Sequence, residues 1–251
     1  MMNINARFLQ KLSLLLSIFG GTNGFLWQGD KCTTWIKTDG SGCRINSFFN
    51  FEKLAMNYKR KTTGENICCN DGTGCFSTEK DTPWECHLEL PSCMDKVKPD
   101  FMVFKHDQTE QEPYQIDYFN LNSSVESLQL DDKPFFIIIH GYGRKWPLNW
   151  MFNIKDRLVK LGNNVMIVRW TGGSTDELGY FKAAANTRSV GAAVAMVAKS
   201  LQFHGRISLN RTTIIGFSLG GQTAGAAGRN LPGLRRIIGG SQSVAEVKSF
   251  D

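Results

Sequence analysis

No cysteine follows Cys93 in this 251-residue chain, no histidine follows His204, and no apolar run is long enough to cross a bilayer. Each absence closes off a class of explanation. A transmembrane segment is not expected. The net charge of +6 is spread along the chain, with no basic run interleaved with aromatics, so nucleic acid is not an expected partner. There is no internal repeat, coiled coil or low-complexity tract. The 7 cysteines all fall between Cys32 and Cys93. Their order, Cys32, Cys43, Cys68, Cys69, Cys75, Cys86 and Cys93, fits no zinc template, so no metal is expected. Such clustering, with Cys68 and Cys69 adjacent, suits a small disulfide-stapled segment in an oxidising compartment. The odd count leaves one thiol without an internal partner. No cofactor is expected either.

What is present begins at the amino terminus. Arg7 and Lys11 give a basic start, Leu12 to Phe19 a short apolar centre, and Gly20-Gly21-Thr22-Asn23-Gly24 a small-residue end. In that order they predict a signal peptide over residues 1–24, in preference to an internal hydrophobic helix. The chain is therefore expected to be secreted and extracellular. Residues 25–73 form a Cys-rich extension, read as lineage-specific or as a small interaction module. Asn122-Ser123-Ser124 and Asn210-Arg211-Thr212 are acceptor sequons, so a glycoprotein is expected.

The pentapeptide Gly216-Phe217-Ser218-Leu219-Gly220 carries the most information. It follows the apolar run Thr213-Ile214-Ile215 and opens the small-residue stretch Gly221-Gln222-Thr223-Ala224-Gly225-Ala226-Ala227-Gly228. Strand, sharp turn and helix in that order are what a serine nucleophile elbow needs. A plain helix N-cap is the competing role for Ser218. Glycine on both sides and a helix of glycine and alanine favour the elbow.

A second segment, Lys133 to Ile139 followed by His140-Gly141-Tyr142-Gly143, reads as an apolar strand ending in a glycine-rich turn. Such a run suits a strand buried on both faces of a parallel sheet. Its turn can aim a backbone N–H at the charge that develops on a carbonyl oxygen during acyl transfer. The donors are placed at the N–H groups of Tyr142 and Leu219, with His140 itself read as structural. Between the two segments, Asn149–Leu161 predicts a helix with Trp150, Ile154, Leu158 and Leu161 on one face. Asn164–Trp170 predicts a strand, Thr171–Gly179 a loop, and Asn186–Gln202 a longer helix. Thr212–Gly216 and Arg236–Ile238 complete an alternation that implies a mainly parallel sheet covered on both faces. Ser218 and Tyr142 then share one edge of that sheet.

From Gly74 to Gly239 the chain resembles the N-terminal catalytic domain of the pancreatic lipase family of animal secreted lipases. The likeness rests on Gly74-Cys75-Phe76-Ser77 with Pro83-Trp84, and on Ile138-Ile139-His140-Gly141-Tyr142 with Asn149-Trp150. It rests also on Trp170-Thr171-Gly172-Gly173 with Tyr180, Asn186, Arg188, Val190 and Gly191, and on the serine pentapeptide with Ala224-Gly225. The resemblance implies an incomplete α/β-hydrolase fold over residues 74–239, preceded by the Cys-rich stapled segment and followed by a divergent tail, 240–251. It implies a Cys69–Cys75 disulfide, Ser218 as nucleophile, and Tyr180 lining the acyl pocket. Lipid esters or a lipid–water interface are the implied partners. Where the family has histidine, this chain has Phe217 and Gln222; where the family has an acid, it has Arg169.

In the same family an Asp-Pro segment and a later histidine complete the triad. Here Ser241 stands at the expected aspartate position, and the histidine, lid and C-terminal β-sandwich would lie beyond Asp251. His87, His106, His140 and His204 all precede the elbow, with His204 expected at the opposite edge of the sheet. Glu246 and the chain-terminal Asp251 are the acids that follow it. The expectation is an incomplete, inactive form of a lipid-ester hydrolase, its sheet cut at the strand after the elbow with an exposed apolar edge. The alternative is a non-catalytic secreted lipid-binding or storage protein derived from a lipase.

Overall fold

A computed structural model describes residues 36–38, 43–45, 66–77, 89–106, 112–143, 146–240 and 244–246. The predicted signal peptide, Pro83-Trp84, His87, Ser241 and Asp251 lie outside the described residues. Two small antiparallel ladders come first: β1 (Ile36–Thr38) with β2 (Cys43–Ile45), and β3 (Asn66–Cys69) with β4 (Gly74–Ser77). The remaining strands are β5 (Asp100–Phe104), β6 (Tyr114–Ile116), β7 (Phe135–Ile139), β8 (Asn164–Arg169), β9 (Thr212–Phe217), β10 (Arg236–Gly240) and β11 (Val244–Glu246). They form one sheet in the order β11-β10-β9-β7-β8-β5-β6. The central four, β10, β9, β7 and β8, are parallel. At the two margins β11, β5 and β6 pair antiparallel. The α/β architecture with a mainly parallel sheet is the one predicted.

The helices are α1 (Met94–Val97), α2 (Leu121–Ser127), α3 (Asn149–Lys160), α4 (Thr171–Ser174), α5 (Tyr180–Phe203) and α6 (Leu219–Gly228). Because strand side chains alternate, each central strand feeds two cores. Phe135, Ile137 and Ile139 of β7 join Met166, Val168 and Ile214 under α5 and α6. Phe136 and Ile138 join Val165, Ile167 and Ile215 under α3. Each such isoleucine, taken fully out of water, contributes roughly 2 kcal/mol. The central strands are therefore rigid supports for the loops at their carboxyl ends.

Five expectations are corrected. The helix predicted from Asn186 begins at Tyr180, since Ala183, Ala184 and Ala185 extend it and Gly179, at φ 77°, supplies the break. The start of the predicted Thr171–Gly179 loop is a single helical turn, α4. On α3 Leu158 is buried, and Trp150 and Ile154 pack half-buried on the same core as predicted. Met151, Lys155 and Val159 are the other buried residues, however, and Leu161 lies past the helix and is 55% exposed. The sheet does not end at β10: β11 pairs antiparallel along that edge, with Gly240 opposite Val244. Finally, the disulfides among the described residues are Cys68–Cys75 and Cys69–Cys93, not Cys69–Cys75. Cys68 stands directly opposite Cys75 in the β3–β4 register, whereas Cys69, one residue on, points to the other face and meets Cys93.

Candidate functional site

Ser218 stands between β9 and α6 with φ 54° and ψ −122°. Such a backbone is costly for a residue with a Cβ and is held only where its surroundings over-determine it. A capping serine has extended φ and ψ and accepts a helix N–H on its side-chain oxygen; Ser218 does neither, and its hydroxyl makes no cap bond. The surroundings that hold it are glycines. A Cβ on Gly216 would collide with the Gly220 carbonyl, and one on Gly220 would reach 2.6 Å from the His140 carbonyl. Ser218 N–H donates to the Gly240 carbonyl across β10, fixing the turn from a third side.

The turn after β7 lies directly against this elbow. A Cβ on Gly141 would stand 2.7 Å from the Ser218 Cβ and 3.2 Å from its Oγ. His140 is buried and stacks on Trp170 at 5.6 Å. Its Nε2 accepts the Trp170 backbone N–H at 3.0 Å, so the neutral ring carries its proton on Nδ1 and donates to the Gly141 carbonyl at 2.7 Å. Burial pushes its pKa down to about 4. With the Gly141 carbonyl tied to His140, the Tyr142 N–H of the same trans peptide points the opposite way. Leu219 is the first residue of α6, so its N–H has no intrahelical acceptor. Tyr142 thus follows the glycine packed on Ser218, and Leu219 follows Ser218 itself.

Aromatic pairs line both sides of the elbow. Tyr142 meets Tyr180 edge-on at 5.4 Å on the α5 side, and Trp150 meets Phe217 at 5.5 Å on the α3 side. Burial, then Tyr142, raises the Tyr180 phenol to about 12. The Tyr142 phenol is raised too, by desolvation first and then by the negative charge of the Asp176 carboxylate. Sequence reasoning had no role for Asp176, which is exposed and has no periodic neighbour to mark it. It also missed how Asn186 works. This buried side chain donates to the Gly173 carbonyl at 2.8 Å and accepts the Ser92 N–H at 2.7 Å. Gly143 N–H in turn donates to the Ser174 carbonyl at 2.9 Å, tying the turn to α4.

No base stands beside Ser218 among the described residues. His140 has both ring nitrogens engaged. His106, whose N–H bonds to Asn164 at the start of β8, and His204, which caps α5 ahead of β9, belong to the opposite end of the sheet. Arg169 pairs with Asp100 and lies over the Trp146 ring at 5.4 Å. The described cluster of metal-holding size is Cys69, Asp71 and Cys93, and its two sulfurs are joined in a disulfide. No helix of the described residues is long and apolar enough to cross a membrane.

The lipase family model matches residues 66–245. Pancreatic triacylglycerol lipase of Myocastor coypus is 34% identical over 178 residues, 68% of this chain and 38% of its own length. The Homo sapiens pancreatic triacylglycerol lipase is 35% identical over 181 residues, covering 68% and 37%. Inactive pancreatic lipase-related protein 1 of Homo sapiens is 32% identical over 184 residues, covering 70% and 38%. The chain therefore spans less than two-fifths of the length of these curated relatives. With the matched region running from the β3–β4 hairpin to β11 and including the elbow and the His140 turn, the chain belongs to the pancreatic lipase family.

Proposed function

We propose that Ser218 is the nucleophile of a secreted hydrolase acting on acyl esters of lipids at a lipid–water interface. The carrying observation is its strained backbone with Gly141 packed against it, an arrangement that a capping serine does not need. The serine oxygen adds to the ester carbonyl carbon while its proton passes to a base, and the carbonyl electron pair moves onto oxygen. The Tyr142 and Leu219 N–H groups donate to that oxyanion, each donor of this kind being worth roughly 3 kcal/mol in the transition state. Tyr180, against Tyr142, lines the acyl side. The family membership and the exposed sequons Asn122 and Asn210 support a secreted glycoprotein.

The base and its orienting acid are not among the described residues. A polypeptide of residues 1–251 is accordingly expected to hydrolyse a short-chain nitrophenyl ester no faster than its Ser218→Ala variant. A clear serine-dependent rate would show that a base is already in place. Sequencing the transcript across the codons for Arg236 to Asp251 reveals whether the reading frame continues into an Asp-Pro segment and a later histidine. If it does, the longer product is expected to hydrolyse the ester in a Ser218-dependent way. A folded longer product that does not would overturn the nucleophile assignment.

The second reading is a non-catalytic lipid-binding protein. Relatives named as inactive match this chain about as well as those named as lipases, which supports it. Capture on lipid that requires the folded chain but is unaffected by Ser218→Ala favours this reading over the first.

A further inference from the structure

Asn186 stands fully buried in the second turn of α5, a place where a small apolar residue would cost less. Both ends of its carboxamide are engaged, and neither partner belongs to its own helix. Nδ2 donates to the Gly173 carbonyl at 2.8 Å, and Oδ1 accepts the Ser92 N–H at 2.7 Å. One partner can only accept and the other can only donate, so the orientation of the amide is fixed. Gly173 and Ser174 end α4, and carbonyls at a helix end have no donor within the helix. Asn186 supplies the donor for the first, and the Gly143 N–H supplies it for the second at 2.9 Å. The two carbonyls are consecutive. A carboxamide that fixes the peptide plane after Gly173 therefore limits where the next one points. α1 closes the far side of α4, since a Cβ on Gly172 would stand 2.4 Å from the Val97 carbonyl oxygen.

We propose that Asn186 is a positioning residue for the turn after β7: by clamping the Gly173 carbonyl it aims the Ser174 carbonyl at the Gly143 N–H, and so holds Gly141 against Ser218. The proposal rests on the reading of Ser218 as nucleophile and of this turn as the carrier of an oxyanion donor. Asn186 reaches the serine through three links: carboxamide to Gly173, Ser174 to Gly143, and Gly141 to the Ser218 side chain. Without the carboxamide, α4 keeps its contact with α1 but is free to turn about it. The Gly143 N–H then loses a fixed acceptor.

The test is magnetic resonance on the isotopically labelled full chain, which needs no ester turnover. Asn186→Leu keeps most of the side-chain volume and removes both bonds. Val194→Ala, in the core two turns farther along the same helix, is the control for lost stability alone. In Asn186→Leu the Gly143 amide proton is expected to move upfield, and its exchange to quicken about tenfold relative to Val194→Ala. A merely structural Asn186 would leave the Gly143 resonance of the folded molecules where the control leaves it, and that outcome overturns the proposal. The unaltered chain gives a second test should Asn186→Leu fail to fold. Its Asn186 carboxamide protons are expected to be as protected as the Gly143 N–H. Rapid exchange of the carboxamide beside a protected Gly143 N–H overturns the proposal.

Phenylboronic acid reads the underlying function separately. On adding, it forms a bond from Ser218 Oγ to boron, which becomes tetrahedral, and the hydroxyl proton passes to the buffer. An adduct that Ser218→Ala abolishes is expected to be about tenfold weaker in Asn186→Leu and unaffected by Val194→Ala. An adduct as tight in Asn186→Leu as in the control overturns the proposal. If the unaltered chain forms no adduct, the nucleophile reading loses its support, while the Gly143 resonance still decides whether Asn186 holds the turn.

Discussion

The elbow and the amino-terminal fastening hold chain segments together by opposite means. Around Ser218 the contacts are backbone against backbone, and they exist because Gly141, Gly216 and Gly220 lack side chains. Around the β3–β4 hairpin and α1 the contacts are long, polar or covalent. Arg188 reaches the carbonyls of Ser77 and Glu89, Lys182 that of Leu90, Asn186 the Ser92 N–H, and Cys69 is bonded to Cys93. The first region transmits position because nothing in it can rotate. The second tolerates distance, and adds these links to a segment whose Phe76, Met94 and Val97 are themselves buried. The two meet at α4, where Gly172 sits under the Val97 carbonyl of α1 and Ser174 holds Gly143.

The sharpest way to break this contrast is Gly220→Ala. The new methyl would meet the backbone carbonyls of Ile139 and His140, and neither has a rotamer to give. The turn must leave the elbow or the elbow must open. A destabilisation of at least about 3 kcal/mol is expected, with Gly141 no longer packed against Ser218. Gly228→Ala is the matched control on the same helix, since its methyl meets side chains alone, chiefly the far end of Ile237. Thermal unfolding of the pair checks the argument. Equal stabilities would mean that the elbow is not held by backbone contact.

Breaking the covalent fastening should have a smaller effect. Replacing both Cys69 and Cys93 by serine frees a 24-residue separation and is expected to lower stability by about 2–3 kcal/mol. Its local signature should be distinctive. Because α1 underlies Gly172, loosening it should raise exchange at Gly143 as well as in the β3–β4 hairpin. Increased exchange in the hairpin with Gly143 unaffected would show that the two regions are mechanically separate.

The sequence made the elbow and the His140 turn legible because both are local. Glycine at fixed offsets from a serine, and an apolar run ending in His-Gly, state their backbone geometry within a dozen residues. The margins of the sheet were not legible. β5 and β6 are short, antiparallel and separated by residues 105–113, so neither the parallel alternation nor a tight turn announces them. The pairing of Cys69 with Cys93 depends on which face of β3 each cysteine occupies, and the register decides that.

The mildest perturbation is pH, and it acts on the buried imidazole that backs the elbow's glycines. In the unfolded chain the His140 imidazole takes up a proton below its ordinary pKa of 6.5; in the folded chain burial delays this to about 4. Between those values the unfolded state binds more protons, so stability falls as pH drops through the window and the contribution is intact above it. From pH 7 to pH 5 the loss is expected to be about 1–2 kcal/mol. His140→Gln should be less stable at pH 7, without the Trp170 and Gly141 bonds, but should show a flatter dependence over the same interval. Denaturant titrations of both proteins at pH 7, 6 and 5 measure the difference in slope. Parallel slopes would mean that His140 accepts its proton in the folded state as readily as in water. In that case Nε2 is not held as the acceptor of the Trp170 N–H, the bond that protonation would break.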